Sequence, residues 1–140
     1  MRRVLVVEDS EFQRSLTGMI LRLAGYDVQI AADGKEALKF WNSSSFDLVI
    51  TDIVMPNVDG FELIREIRNQ QSEVKIVAIS GGGHLKPAEY LGIAQKVGAD
   101  YCLPKPFTLG AMLETIAVAF QPSGALSCTA STASQTVSSL

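Results

Sequence analysis

The feature that most constrains this chain is a repeated change of hydrophobic period along residues 1–120. Short apolar runs rich in β-branched residues at Val4–Val7, Leu48–Ile50 and Val74–Ile79 have the length of buried strands. Val28 and Ile30 alternate with polar Gln29, as in a half-exposed edge strand, and Tyr101-Cys102-Leu103 forms a fifth run stopped by Pro104. Between these runs the apolar residues fall at helical spacing. Phe12, Leu16, Ile20 and Leu23 mark one face of a helix, which Gly25 closes. Ala37, Leu38 and Trp41 mark a second, entered through Asp33-Gly34, and Phe61, Ile64 and Ile67 a third, with Asp59 as its N-cap. A fourth runs from Pro87 to Val97, and Leu109, Leu113, Ile116 and Phe120 mark the last. Strands alternating with helices predict an α/β fold: a doubly wound, five-stranded parallel sheet covered on both faces. The right-handed crossover rule and the edge character of the second strand select the order 2-1-3-4-5.

A length of 140 residues allows one domain, and the composition changes near its end. Gln121 to Leu140 carry no charged residue, and nine of these twenty are Ser or Thr. Such a segment cannot offset its ordering entropy by burial, so a domain over 1–120 followed by a flexible tail over 121–140 is expected. Nothing after residue 120 has the makings of a DNA-binding or catalytic domain. The formal charge of −3 gives no basic face for nucleic acid or anionic membrane. No apolar run is long enough to span a membrane or serve as a signal peptide. Cys102 and Cys128 have neither zinc spacing nor a disulfide framework, which points to a reducing, cytoplasmic setting.

In a sheet of this order, ligands bind beyond the carboxyl ends of the strands, where strands 1 and 3 diverge. Strand 1 leads into Glu8-Asp9, strand 3 into Thr51-Asp52, strand 4 into Ser80 and three glycines, and strand 5 into Pro104-Lys105-Pro106. Singly, each residue has an ordinary explanation. Asp9 or Ser10 can cap the following helix, Asp52 can serve a turn, and Lys105 can be a solvated lysine. Jointly they place three carboxylates, a hydroxyl and an ammonium on one rim. Like charges a few ångströms apart cost about 4 kcal/mol per pair at an effective dielectric near 20. Lys105 leaves a deficit of two charges, which one hard divalent cation cancels, and oxygen-only ligands select Mg²⁺, Mn²⁺ or Ca²⁺ over zinc. A phosphoryl group there would be flanked by cation, ammonium and hydroxyl, the electrostatic requirement of phosphoryl transfer, with Asp52 the best-placed nucleophile.

The stretches VLVVEDSEFQR (4–14), AADGKEAL (31–38), DLVITDIVMPNVDGFELIREIR (47–68), VAIS (77–80) and GADYCLPKPF (98–107) resemble the receiver domain of bacterial two-component response regulators. The likeness covers about residues 1–120 and implies a flavodoxin-like (βα)5 fold. It implies that Asp52 is the phosphoacceptor, taking a phosphoryl group from a sensor histidine kinase or histidine phosphotransfer protein. Glu8, Asp9, Asp52 and the carbonyl of Val54 would hold Mg²⁺. Ser80 would bond the phosphoryl group, Lys105 would pair with it, and Lys105–Pro106 would be cis. The chain departs from the pattern at Cys102, three residues before the lysine, where the family usually carries an aromatic switch residue. The aromatic residue here is Tyr101, and one step along a strand points a side chain to the opposite face.

The resemblance implies a phosphorylation switch that catalyses its own modification, not a turnover enzyme, and that signals through protein contact at the surface of helix 4, strand 5 and helix 5. The alternative is a receiver fold acting as a phosphate-independent protein-binding module. A phosphohydrolase would need a second acid where Val54 stands, and an FMN-binding protein would need a phosphate loop where Glu8-Asp9 stand.

Overall fold

The computed structural model describes residues 1–53, 60–70, 72–80 and 87–121. Among the described residues, five strands and five helices alternate: β1 (Arg3–Val7), α1 (Glu11–Leu23), β2 (Asp27–Ala31), α2 (Gly34–Ser43), β3 (Leu48–Asp52), α3 (Gly60–Asn69), β4 (Lys75–Ser80), α4 (Pro87–Val97), β5 (Tyr101–Pro104) and α5 (Leu109–Ala119). All strand pairs are parallel and the order is β2-β1-β3-β4-β5. This is the flavodoxin-like (βα)5 sheet expected from the alternating periods. Asp59, Val54, the glycines at 81–83 and residues 122–140 lie outside the described residues, so the expected N-cap, the Val54 carbonyl and the tail fall there.

Strand side chains alternate between two cores. On one face, Leu5, Val7, Val49, Ile76, Ala78 and Cys102 pack against Leu63, Ile64 and Ile67 of α3 and Ala94 of α4. On the other, Val4, Val6, Ile50, Val77, Ile79, Tyr101 and Leu103 pack against Leu21 of α1 and Met112 and Ile116 of α5. The strands are buried on both faces, which is why they read as continuous apolar runs. Tyr101 and Cys102 thus face opposite layers.

On two helices the buried stripe is offset from the apolar spacing seen in the sequence. In α1 the inner surface is Gly18 and Leu21, whereas Phe12 is 74% and Leu23 81% exposed. Helix α1 is apolar on two sides, and the spacing of Phe12, Leu16, Ile20 and Leu23 alone does not say which side meets the sheet. Gly18 settles it: a Cβ there would lie 3.2 Å from Ile30 Cγ2, so the glycine allows the helix to sit close. In α5, Leu109 is exposed and the buried stripe runs through Ala111, Met112, Thr115, Ile116 and Ala119.

The two cysteines also differ from expectation. Cys102 is disulfide-bonded, and Cys128, the chain's other cysteine, lies outside the described residues. The cysteines therefore lend no support to a reducing setting. Among the described residues, no helix is long and apolar enough to cross a membrane.

Candidate functional site

Parallel register brings the functional strand ends level. Val7 pairs with Thr51 and Ala31, Asp52 with Ile79, and Ser80 with Pro104. Lys105 N–H then donates to Ser80 O at 2.7 Å, which carries the ladder one step past β5 and fixes where the lysine leaves the sheet. The Lys105–Pro106 bond is cis.

Ser10, not Asp9, caps α1: its hydroxyl oxygen accepts from Gln13 N–H at 3.4 Å. Asp9 is thereby left for other work. Glu8, Asp9 and Asp52 each offer a carboxylate oxygen, and these oxygens lie within 4.8 Å of one another. Glu8 and Asp52 are buried while Asp9 is exposed, so the cluster opens to solvent on one side. Lys105 Nζ donates to Asp52 Oδ2 at 3.1 Å and reaches Glu8 Oε2 at 3.5 Å. One ammonium facing three carboxylates leaves the site strongly negative.

The imbalance registers on Asp52. Burial, then a hydrogen bond with Glu8 and its charge, push the Asp52 carboxyl up to about 8, against the opposing pull of Lys105. Burial disfavours the charged form of Lys105, but the carboxylates of Asp52 and Glu8 outweigh it and raise its pKa. The residues fit a divalent cation: a hard, oxygen-only set, with excess negative charge and an open side where waters and a phosphate oxygen can complete the coordination. Glu8, Asp9 and Asp52 are thus positioned to coordinate a divalent metal, as in the Mg²⁺ site of a receiver.

Ser80 supplies the next observation. It is 1% exposed, and its Oγ finds no hydrogen-bond partner among the described residues. A buried hydroxyl left unbonded costs about 1–3 kcal/mol, so its retention calls for a partner beyond the described residues. It stands at the end of β4, beside β3 with Asp52 and beside β5, which leads into Lys105.

Two residues support the site without having been singled out in the sequence. Arg14 donates to the carbonyl of Glu8 at 3.0 Å and that of Asp9 at 3.4 Å, and so holds the backbone of the acidic pair. A lone arginine on a helix gives no spacing signal for this. Gly60 packs so closely that a Cβ would lie 2.2 Å from Asp52 O and 2.6 Å from Ile53 Cα. Its place in the DG dipeptide at 59–60 is the available signal. Cys102, by contrast, is buried in the α3–α4 core at 2% exposure.

A parallel sheet with an acidic, cation-ready pocket at its switch point, and a lysine and an unsatisfied serine on the same rim, defines a phosphoryl-handling domain. The comparisons agree with that class. The chain matches the response regulator receiver domain over residues 4–117. It is 39% identical over 116 residues to the CAI-1 autoinducer sensor kinase/phosphatase CqsS of Vibrio cholerae, covering 83% of this chain and 17% of that protein. It is 40% identical over 106 residues to the sensor protein EvgS of Escherichia coli K12, covering 76% of this chain and 9% of EvgS. The chain thus spans under a fifth of the length of these relatives. Among solved structures, the receiver domain of NtrX from Brucella abortus superposes with a TM-score of 0.78 at 32% identity, covering 86% of this chain and 99% of that one. The chemotaxis response regulator CheY4 of Vibrio cholerae gives 0.76 at 34%, with coverage of 86% and 99%. This chain belongs to the response regulator receiver domain family. Its function class is that of the family: phosphorylation-based signalling in a two-component system.

Proposed function

We propose that Asp52 is the phosphoacceptor of this receiver. Its carboxylate oxygen attacks the phosphorus of a phosphohistidine; the O–P bond forms as the P–N bond breaks, its electron pair leaving with the imidazole. The observation that carries this reading is the contact of Lys105 Nζ with Asp52 at 3.1 Å inside the three-carboxylate cluster, beside the unpartnered Ser80 hydroxyl. Mg²⁺, when bound by Glu8, Asp9, Asp52 and the carbonyl of Val54, supplies charge neutralisation and orientation. Lys105 faces the transferred group's developing charge. The Ser80 hydroxyl donates to the phosphoryl oxygen once the group is in place, and its displacement transmits the change. Tyr101 faces the other core, so Cys102 occupies the usual aromatic switch position and Ser80 carries the motion.

The signalling unit is residues 1–120. The phosphodonor is a sensor histidine kinase or a phosphotransfer protein, supported by likeness to sensor kinases such as CqsS and EvgS. The downstream protein docks on the α4–β5–α5 face, where Ile93 and Leu109 are exposed. A receiver charged by such a kinase works in the cytoplasm.

Intact-mass spectrometry after incubation with acetyl phosphate tests this. A single phosphoryl adduct that requires Mg²⁺ and disappears in Asp52→Ala is expected. No adduct, under conditions that label another receiver, would instead favour the phosphate-independent binding module.

A further inference from the structure

The three carboxylates of the cluster are not equally supported. Asp52 is the last residue of β3, and its Oδ2 accepts from Lys105 Nζ at 3.1 Å. Glu8 donates its N–H to Ala31 O at 3.1 Å, its Oε1 accepts from Ser10 N–H at 3.2 Å, and its Oε2 lies 3.5 Å from Lys105 Nζ. Asp9, between β1 and α1, belongs to neither element and is exposed. Among the described residues, neither its N–H nor its carboxylate makes a hydrogen bond. Its one such bond there is accepted by its carbonyl, and Arg14 is the donor.

We propose that Arg14 is a positioning residue for the metal, which tightens Mg²⁺ binding by orienting Asp9. A single nitrogen, Arg14 Nη1, donates to the carbonyl oxygens of Glu8 at 3.0 Å and Asp9 at 3.4 Å. Those carbonyls belong to the two successive peptide planes that flank the Asp9 Cα. Each plane is rigid, so holding both holds φ and ψ at Asp9, and with them the direction in which its side chain leaves the backbone. The guanidinium contacts are charge-assisted, and the fork is planar, so the arrangement is stiffer than a neutral donor would give. Charge alone argues the opposite effect. A cation beside a cation site repels the incoming ion, so by Coulomb interaction Arg14 weakens binding. Its bonds run to backbone carbonyls and not to the carboxylates, so it leaves their oxygens for the metal. Orientation and repulsion therefore predict opposite signs for the loss of this side chain, and the proposal is that orientation wins. Groups that hold a metal ligand from behind typically change affinity by about 10–100-fold. The inference rests on the cation site of Glu8, Asp9 and Asp52, and stands whichever carboxylate takes the phosphoryl group.

The test is titration of the metal-free full chain with MgCl₂, followed in amide NMR spectra, whose dispersion also shows that each variant folds. Arg14→Ala is expected to weaken Mg²⁺ binding about 10–100-fold, although it removes a positive charge. Arg14→Lys keeps the charge but offers a point donor in place of the fork, so it is expected to recover only part of the affinity. It also carries the comparison where Arg14→Ala does not fold. Asp9→Ala is the decisive background. Once the Asp9 carboxylate is gone, Arg14→Ala is expected to cost little further affinity, a coupling that a general loosening of the fold does not produce. Unchanged or tighter Mg²⁺ binding in Arg14→Ala overturns the proposal, because repulsion then outweighs orientation. An equal loss with and without the Asp9 carboxylate overturns it too, as does full affinity in Arg14→Lys. A wild-type chain that binds no Mg²⁺ overturns the cation site itself, and the role of Arg14 with it.

Discussion

Asp52 is held in a state that suits it to wait for a cation. Its carboxyl binds a proton more tightly folded than unfolded, at about 8 against a reference of 3.8. Folding stability from this group is therefore full below pH of about 4 and is lost progressively as pH rises to about 8, once the proton must leave a buried site beside Glu8. Urea denaturation of the metal-free protein is expected to show stability falling across that window by on the order of a few kcal/mol, and Asp52→Asn is expected to flatten the slope. A profile unchanged by the substitution would mean that Asp52 ionises normally. Ser80 allows a complementary test. Because its buried Oγ has no hydrogen-bond partner among the described residues, Ser80→Ala is expected to leave the unphosphorylated domain at least as stable as wild type, by up to about 1–3 kcal/mol. The variant is still expected to accept the phosphoryl group while losing the resulting change in amide chemical shifts along β4.

The elements were legible in proportion to how strictly each matched its period. β3 reads as Leu48–Ile50 because apolar residues occupy both faces, and its last two residues, Thr51 and Asp52, extend the strand with polar groups that only the site explains. The acidic pair, Asp52, Ser80 and Lys105 were visible because the sheet order assigns them to one rim. What stayed hidden depends on the third dimension. The outward seam of α1 follows from which of two apolar faces meets the sheet, Arg14 acts through contacts no spacing encodes, and Gly60 is signalled only by the DG dipeptide at 59–60. Arg68 is a further instance, at the far end of the sheet. It donates to the carbonyls of Gly98, Ser72 and Val74 and to Asp100 Oδ2, which accepts Ile76 N–H, so α3, the entry to β4 and the turn before β5 share one side chain. Arg68→Ala is expected to destabilise by about 2–4 kcal/mol in thermal or urea denaturation, since several part-buried polar groups are left unpaired. Arg68→Lys recovers only part of this, because one ammonium cannot reproduce the guanidinium fork. Gly60→Ala is expected to cost a similar amount, about 2–4 kcal/mol, and to weaken Mg²⁺ binding, because its methyl displaces the backbone that carries Asp52.

Across the whole molecule, the sheet gathers charge at one end and lets a cation settle it. Binding at the Glu8–Asp9–Asp52 cluster must displace the proton that Asp52 holds in the metal-free state. Calorimetry in buffers of differing ionisation enthalpy is therefore expected to show proton release on Mg²⁺ binding near pH 7, with affinity rising up to pH of about 8. At a Mg²⁺ concentration of 100 times Kd the domain is expected to gain about 2.7 kcal/mol, lost on chelation. Affinity independent of pH would contradict a shared proton in the cluster. The account rests above all on Asp52 being where the phosphoryl group arrives, and borohydride reduction followed by peptide sequencing tests that most directly. An acyl phosphate on an aspartate is reduced to homoserine. Homoserine at position 52 alone, formed only when both acetyl phosphate and Mg²⁺ were present, is the predicted result; reduction at position 9, or a phosphoryl group that survives borohydride on a serine or threonine, would contradict it.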